Sequence, residues 1–442
     1  MSDIRYNSWY HRSGTGGVHQ ASNGRVGIGS TIPQSTLDLS GGTLTATEIT
    51  GVSTIGVTTV TANTLNVGLT TITSDSLQVN GTQYPSSGPL SNRNFVINGG
   101  MQIAQRTTEV TGATAGAAVS TCDRWRNTLN ALGTWTIRQS SDTPVGFTSS
   151  LEYVCTTADA SPAAGGFCLI EQRVESQNLQ SLGFGNADAR SFTVSFWVKS
   201  NKTGAASFDC YQDQEANQRM FSTSYTINSA NTWEHKVINV PGDASGDIPF
   251  NSDIGLHLEW WLNGGSTFTG GTYQTTWATL TQANRNVQNL GVGGAINDNF
   301  KITGVQMELG DVATPFEHRS FGDELARCQR YYFKTYDYEV VPGTVSGAGS
   351  QWAYGTTDAS GNMGHQINFP TRMNKSPNIT YYNRASLNTN TWFFNRNGTT
   401  GTVLPTDGGV NGTGGTLVYV DMGSTTFSPA SMDGHITAEA EL

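Results

Sequence analysis

Carboxylate pairs are the first residues in this chain able to do chemistry. Asp209, Asp213 and Glu215 fall close together, and Asp243 and Asp247 flank a short Gly/Ser stretch. Two carboxylates across a glycosidic bond suffice for its hydrolysis, so these are the candidates for a glycan depolymerase. Asp243 and Asp247 lie in Gly242-Asp-Ala-Ser-Gly246, where an aspartate ordinarily bonds its own backbone. A turn is preferred there over a calcium-type oxygen site or a catalytic pair. The chain contains no Gly-x-Ser-x-Gly, His-Glu-x-x-His or Gly-x-x-x-x-Gly-Lys motif. Gly291-Val-Gly-Gly294 lacks the spacing of a nucleotide loop. The 7 histidines are scattered, with none four residues from another, so no metal or other cofactor is expected. The 5 cysteines (Cys122, Cys155, Cys168, Cys210, Cys328) are odd in number and form no Cys-x-x-Cys, which points to reduced core thiols.

Aromatic residues beside amides offer a different chemistry, non-catalytic glycan binding. An aromatic face covers the C–H surface of a sugar while Asn, Asp or Gln bonds its hydroxyls. Trp352, Tyr354, Tyr381, Tyr382, Trp392 and Phe393 lie near Asn388, Asn390, Asn395 and Asn397, and Tyr273 and Trp277 lie in a Gly/Thr-rich stretch. The residues singled out for ligand contact are Trp352, Tyr354, Tyr381, Trp392, Asn395, Tyr273 and Trp277. For each, packing in a core or between subunits is the competing role.

What must position these residues is β structure. Thr, Val, Ile and aromatics abound, and 52 Gly supply turns. Only 13% of the 442 residues are charged, the net charge is −10, and there are six lysines. That leaves no basic face for nucleic acid. No run of 18 apolar residues is present, so membrane insertion is not expected. Met1 to Tyr10 lacks an apolar secretory core, so folding in a cytoplasm is expected.

Composition divides the chain. Residues 1–36 are polar and Gly-rich, with Trp9, Tyr10 and His11 the only bulky cluster. Residues 37–84 hold a repeat: Ile55-Gly-Val-Thr-Thr-Val-Thr-Ala-Asn-Thr-Leu-Asn66 is followed at a spacing of 12 by Val67-Gly-Leu-Thr-Thr-Ile-Thr-Ser-Asp-Ser-Leu-Gln78. Its aliphatics, Ile55, Val57, Val60, Leu65, Val67, Leu69, Ile72 and Leu77, make a stripe too thin for one chain to bury. Three chains around an axis bury it, so a homotrimeric β shaft is expected. Residues 85–91 read as a linker, 92–318 as a jelly-roll-type β-sandwich, 319–334 as a connecting helix and 335–442 as a β-rich tip. The expected fold class is therefore all-β: an extended trimeric shaft followed by two sandwich-like domains.

Within the sandwich, Phe192, Val194, Phe196 and Val198 alternate with polar residues and Trp197, and Ile254, Leu256, Leu258, Trp260 and Leu262 with His257, Glu259 and Trp261. From Phe300 to Leu309 the alternation slips, which predicts a bulge near Thr303-Gly304. Over 320–333, Ser320 as cap, Asp323 and Glu324 in the first turn, and Arg327 and Arg330 near the end predict a helix with Leu325, Cys328 and Tyr332 on one face.

Several motifs in order resemble those of phage tail-fibre proteins. They are Arg93-Asn-Phe-Val-Ile-Asn-Gly99 with Gln105-Arg106 and Cys122-Asp-Arg-Trp125, then Gly242-Asp-Ala-Ser-Gly246, then Ile302-Thr-Gly-Val-Gln-Met-Glu-Leu-Gly310, Ala313-Thr-Pro-Phe-Glu-His-Arg319 and Gly322-Asp-Glu-Leu-Ala-Arg-Cys-Gln-Arg-Tyr-Tyr332. Phe369-Pro-Thr-Arg-Met-Asn-Lys-Ser-Pro377 and Ala438-Glu-Ala-Glu-Leu442 are similar to C-terminal parts of such fibres, and Arg25-Val-Gly-Ile-Gly-Ser-Thr-Ile-Pro33 with Leu37-Asp-Leu-Ser40 resembles a shaft entry in fibres of marine phages, cyanophages included. The resemblance implies a trimeric virion protein with carbohydrate-binding-like β domains and no catalytic residues. Trp9, Tyr10 and His11 would then lie in the segment that joins tail or baseplate proteins. The far end would meet host polysaccharide or lipopolysaccharide, or dock onto another virion protein as an adaptor.

Overall fold

The computed structural model describes residues 8–10, 17–22, 25–28, 37–39, 78–79, 82–83, 91–213, 218–387, 389–406, 411–423 and 427–442. The eight aliphatics of the expected shaft core (Ile55, Val57, Val60, Leu65, Val67, Leu69, Ile72 and Leu77), together with His11, Glu215 and Asn388, lie outside the described residues. The chain divides into two compact units, Met1–Thr71 and Ile72–Leu442. In the first, Ser8–Tyr10, Gly17–Gln20 and Val26–Ile28 pair antiparallel, and Leu37–Leu39 adds in parallel to Val26–Ile28. Trp9 and Tyr10 sit on the first of these strands.

The second unit is β throughout its larger part. A six-stranded sheet runs Glu234–Val240, Phe192–Ser200, Asn299–Leu309, Ser150–Thr157, Thr134–Ser140, Glu109–Ala113. A seven-stranded sheet runs Ala278–Thr279, Arg219–Ile227, Gly204–Gln212, Ile254–Gly264, Phe167–Glu175, Trp125–Asn130, Gly116–Val119. The core between them takes the inward residues of both sheets. Trp260 is central: its ring meets Trp125 at 5.6 Å, Phe196 at 5.7 Å and Phe208 at 5.2 Å between centroids. Burying one such side chain contributes about 1.5–3 kcal/mol, so this cluster anchors the sandwich. All five cysteines are buried, free thiols.

The bulge falls where the broken alternation places it. Ser195 pairs with Gln306 and Trp197 with Thr303, so two steps on one strand face three on the other. Gly304 takes the extra step at φ +62°. The Ile254–Gly264 strand departs from simple alternation in burial. Leu256, Leu258, Trp260 and Leu262 face the core as expected, but His257, Glu259 and Trp261 are buried as well. Charged partners and the ring of Phe268 cover that second face.

The helix is shorter than the sequence predicts, Phe321–Gln329 in place of 320–333. Its cap is the expected one: Ser320 Oγ accepts from the Asp323 amide at 3.2 Å. It stops because Tyr332–Lys334 is a strand, paired with Thr437–Glu439. Sheet pairing overrides helical propensity there, and Tyr332 leaves the helix face assigned to it.

In the C-terminal region one long strand, Pro429–Glu439, organises everything. Its first half lies between Gln351–Thr356 and Trp392–Arg396, and its second half pairs with Tyr332–Lys334 and Asn378–Tyr382. Thr399–Val403 continues the sheet beyond Trp392–Arg396. A three-stranded sheet of Asn362–Asn368, Gly415–Asp421 and Asn411–Gly412 adds Met363, Ile367, Val418 and Val420 to a second core. Ala430, Met432, Ile436 and Ala438 supply the long strand's share of it.

Candidate functional site

Strand alternation sorts the residues of this C-terminal sheet onto two faces. On Gln351–Thr356, Ala353 packs against the core, which sends Trp352 and Tyr354 outward. They are 59% and 69% exposed, and their rings stack 6.1 Å apart with planes 16° from parallel. Register extends this outer face across the sheet. Trp352 and Phe393 both pair with Asp433, and Tyr354 and Asn395 both pair with Ser431. Thr402 and Thr400 follow on the next strand, opposite Phe393 and Asn395.

A cation completes the face. Arg384 enters from the loop after Tyr382; its Nε donates to Asp433 Oδ1, and its guanidinium lies 5.0 Å over the Phe393 ring. The Arg384 side chain is 37% exposed and that of Asp433 only 4%. Burial pushes the Asp433 carboxyl above its ordinary pKa, against the pull of Arg384. The result is a flat aromatic step beside a fixed guanidinium, with hydroxyl and amide groups beyond it. Such a surface suits the apolar face of a sugar ring and the polar groups around its rim.

Of the residues singled out by sequence, this face brings together Trp352, Tyr354 and Asn395. Asn395 is partly engaged, since its Oδ1 accepts from the Gly398 amide at 3.1 Å. Of the other four, Trp392, Tyr381 and Trp277 are buried, and Tyr273 is half-buried with its hydroxyl engaged by the protein. Trp392 is fully buried and donates from its indole to the His435 carbonyl at 3.0 Å. Tyr381 is buried in the same core. Trp277 is buried in the sandwich, with its indole N–H on the Pro241 carbonyl at 2.6 Å and its ring against Phe184. The Tyr273 hydroxyl bonds Ser207 at 2.7 Å and accepts from the Gln288 amide at 2.9 Å. Aromatics of this size go where they bury most surface, and Trp392, Tyr381 and Trp277 had a core within reach. The sequence does not single out Arg384 and Asp433, which stand 49 positions apart and meet only through strand pairing.

The acidic candidates are held elsewhere. Asp243 makes the expected turn, accepting from the Ser245 amide at 3.0 Å, and also binds Arg219 at 2.6 Å and Gln212 at 2.7 Å. Asp247 stays exposed. On the outer face of the seven-stranded sheet, Asp209, Glu259 and Glu171 lie directly opposite one another on adjacent strands. Like charges in that register repel, so each is matched. Arg285 binds Asp209 at 2.8 Å and also Glu259, while Glu171 takes Arg173 at 2.6 Å and His257 at 2.6 Å. Burial raises the Glu259 carboxyl well above its usual range, and Arg285 pulls the other way. Asp213 lies 3.4 Å from His257 Nε2. Glu171, His257 and Glu259 bring ligating atoms within 4.8 Å of one another, but arginines already neutralise this cluster.

No protein-family model matches the chain, and no curated protein does. Among solved structures it is similar to the enzymatically active domain of tailspike protein 4 of bacteriophage CBA120, at 14% identity and TM-score 0.27, over 49% of this chain and 21% of that one. It is also similar to a putative sugar binding protein of Bacteroides thetaiotaomicron, at 14% identity and TM-score 0.28, over 49% of this chain and 100% of the other. A xylan-binding domain of Paenibacillus barcinonensis is similar at 15% identity and TM-score 0.23, over 42% and 92% of the two chains.

Proposed function

We propose that this chain is a homotrimeric, non-catalytic attachment protein of a phage tail fibre, which holds a host-surface glycan on the outer face of its C-terminal sheet. The observation behind this is the pair of stacked, exposed rings of Trp352 and Tyr354 beside Arg384. Exposed rings of this size, aligned on one face, mark a surface that meets something else. The candidate acids Asp209 and Asp243 are tied to arginines, which suits a binding role better than acid–base chemistry. The ordered fibre motifs and the repeat over 55–78 support the fibre and the trimer. Three copies on a fibre raise apparent affinity by about 10²–10⁴ if they engage together, so each site suffices when weak.

A second function, docking onto another virion protein, is favoured by the exposed apolar side chains of Leu387, Leu404 and Phe427 in the same region. Two measurements decide. Light scattering of the purified chain is expected to give a trimer; a clean monomer sinks the fibre assignment. Binding to host cells and to a glycan array is expected for the wild type and lost in Trp352→Ala. Cell binding that survives this change leaves docking or another face as the better account, and polysaccharide cleavage by the wild type would establish the depolymerase.

A further inference from the structure

Arg384 is held in a way that leaves most of its hydrogen-bonding capacity unused among the described residues. A guanidinium presents five N–H donors in a fixed plane and stays charged at any working pH. Here the Nε edge is spent on Asp433. Among the described residues, neither terminal nitrogen of Arg384 donates to the protein. The plane is fixed from below by the Phe393 ring, 5.0 Å away. The loop that presents it is fixed too: Asn383 is buried, and its Oδ1 accepts from the Ala385 amide at 2.8 Å. The outer edge of Arg384 is therefore a pre-oriented two-donor fork that none of the described residues fills.

Its place in the sheet matters as much as its orientation. Asp433, which anchors it, is the direct cross-strand partner of Trp352. Phe393, under the guanidinium, and Trp352 pair with Asp433 from opposite sides; neighbouring strands lie about 4.8 Å apart, so the fork stands within about two strand spacings, ~10 Å, of the aromatic step. An oligosaccharide seated on Trp352 and running across the sheet would bring a substituent of the same or the next sugar to the fork. The substituent that fits two parallel N–H donors is a planar or near-planar pair of anionic oxygens. A neutral hydroxyl uses one donor and leaves the other open.

We propose that the ligand of this face is an anionic glycan, with an acid group taken end-on by the terminal nitrogens of Arg384 while a sugar ring of the same chain lies on Trp352 and Tyr354. This rests on the glycan-binding function proposed above and adds the class of ligand. Asp433 is a positioning residue: it uses the Nε edge and so turns the two-donor edge outward. The shared chemistry is a carboxylate or a sulfate on the sugar.

The test is a binding titration of the full chain with three probes: polygalacturonate oligosaccharides, sulfated carrageenan oligosaccharides and neutral β-1,4-galactan oligosaccharides. The variants are Arg384→Gln, Arg384→Lys and Trp352→Ala. Gln at 384 can still donate to Asp433, which protects the fold, and a thermal scan checks it. Wild type is expected to prefer an anionic probe over the neutral one by at least about tenfold, the worth of one charge-assisted pair. Arg384→Gln is expected to weaken anionic binding by about tenfold or more and neutral binding by much less, which erases the preference. Arg384→Lys, which keeps charge without the fork, is expected to restore it only in part. Preference for polygalacturonate assigns a carboxylate, and preference for carrageenan assigns a sulfate. Equal binding of all three probes, unchanged in Arg384→Gln but lost in Trp352→Ala, overturns the anionic ligand and leaves the aromatic face standing. Binding of none of the probes by the wild type overturns the anionic ligand, and the host-cell assay then judges the aromatic face alone.

Discussion

Trp392 fills the space that a side chain at position 434 would need: a Cβ built on Gly434 would lie 2.5 Å from the indole Cδ1 atom. The ring lies flat against the bare backbone of the long strand and closes the C-terminal core. Trp352, also opposite that strand, points the other way and is 59% exposed. Truncating the two should therefore have opposite consequences. Trp392→Ala is expected to cost about 3–5 kcal/mol and to unfold the C-terminal sheet. Trp352→Ala is expected to change stability by no more than about 0.5 kcal/mol and to abolish glycan binding. Urea unfolding followed by fluorescence, with glycan titration alongside, checks both; equal destabilisation by the two changes would contradict the assignment of faces.

The bulge at Gly304 makes a sharper demand on sequence. Its φ of +62° is left-handed, and a Cβ there would sit 2.6 Å from Phe147 Cζ. Gly304→Ala is expected to lose about 1–3 kcal/mol. Gly322, in the helix, has open space around its missing Cβ. Gly322→Ala should stabilise by up to about 1 kcal/mol, the difference in helix propensity. Denaturation midpoints of the two variants should move in opposite directions.

These two glycines also show how far the sequence could be read. The slip in alternation after Ile302 betrays the bulge, and Ser320 with Asp323 and Glu324 betrays the helix start, because both signals are local. The helix end is not local: it is set by Tyr332–Lys334 pairing with a strand more than a hundred residues away. The same holds for the site. Trp352, Tyr354, Tyr381 and Trp392 look alike in sequence, and only pairing with Pro429–Glu439 decides which rings face out. That strand escapes notice because its inward residues are Ala430, Met432, Ile436 and Ala438, with Gly434 among them, kept mostly small to accept rings from its neighbours. Arg384 and Asp433 carry no mutual signal at all.

Glu441 ties the C-terminal region to the sandwich. It pairs with Arg124, and with Arg106 at 3.3 Å; Arg124 stacks 3.5 Å over Tyr331 and Arg106 3.8 Å over Tyr332. Arg124 is 2% exposed, so removing its partner strands a charge out of water. Glu441→Ala is expected to cost about 3–5 kcal/mol and to open the junction to protease. Limited proteolysis with mass spectrometry reads this out; an unchanged cleavage pattern and midpoint would mean the pair is dispensable.

Lys334 offers a pH signature at the same junction. It lies beside a cavity of about 170 Å³ that Gln102, Gln105, Arg106, Gln139 and Tyr338 also line. Burial lowers its ammonium from the ordinary lysine value to about 8, although the Tyr338 and Val340 carbonyls accept from it at 2.6 and 2.8 Å. In the unfolded chain the same group titrates near 10.4, about the ordinary value. Below about pH 8 both states are protonated, and the burial penalty is constant. Between about 8 and 10.4 the unfolded chain keeps a proton that the folded chain has released, so Lys334 makes stability rise with pH. The gain is at most about 3 kcal/mol across that window. Lys334→Met removes the titration and leaves the two carbonyls unserved at every pH, a fixed offset. Wild type should therefore gain on Lys334→Met steadily as urea midpoints are measured from pH 7.5 to 10. Parallel profiles would show that the ammonium stays protonated in the fold and that its two carbonyl partners outweigh its burial.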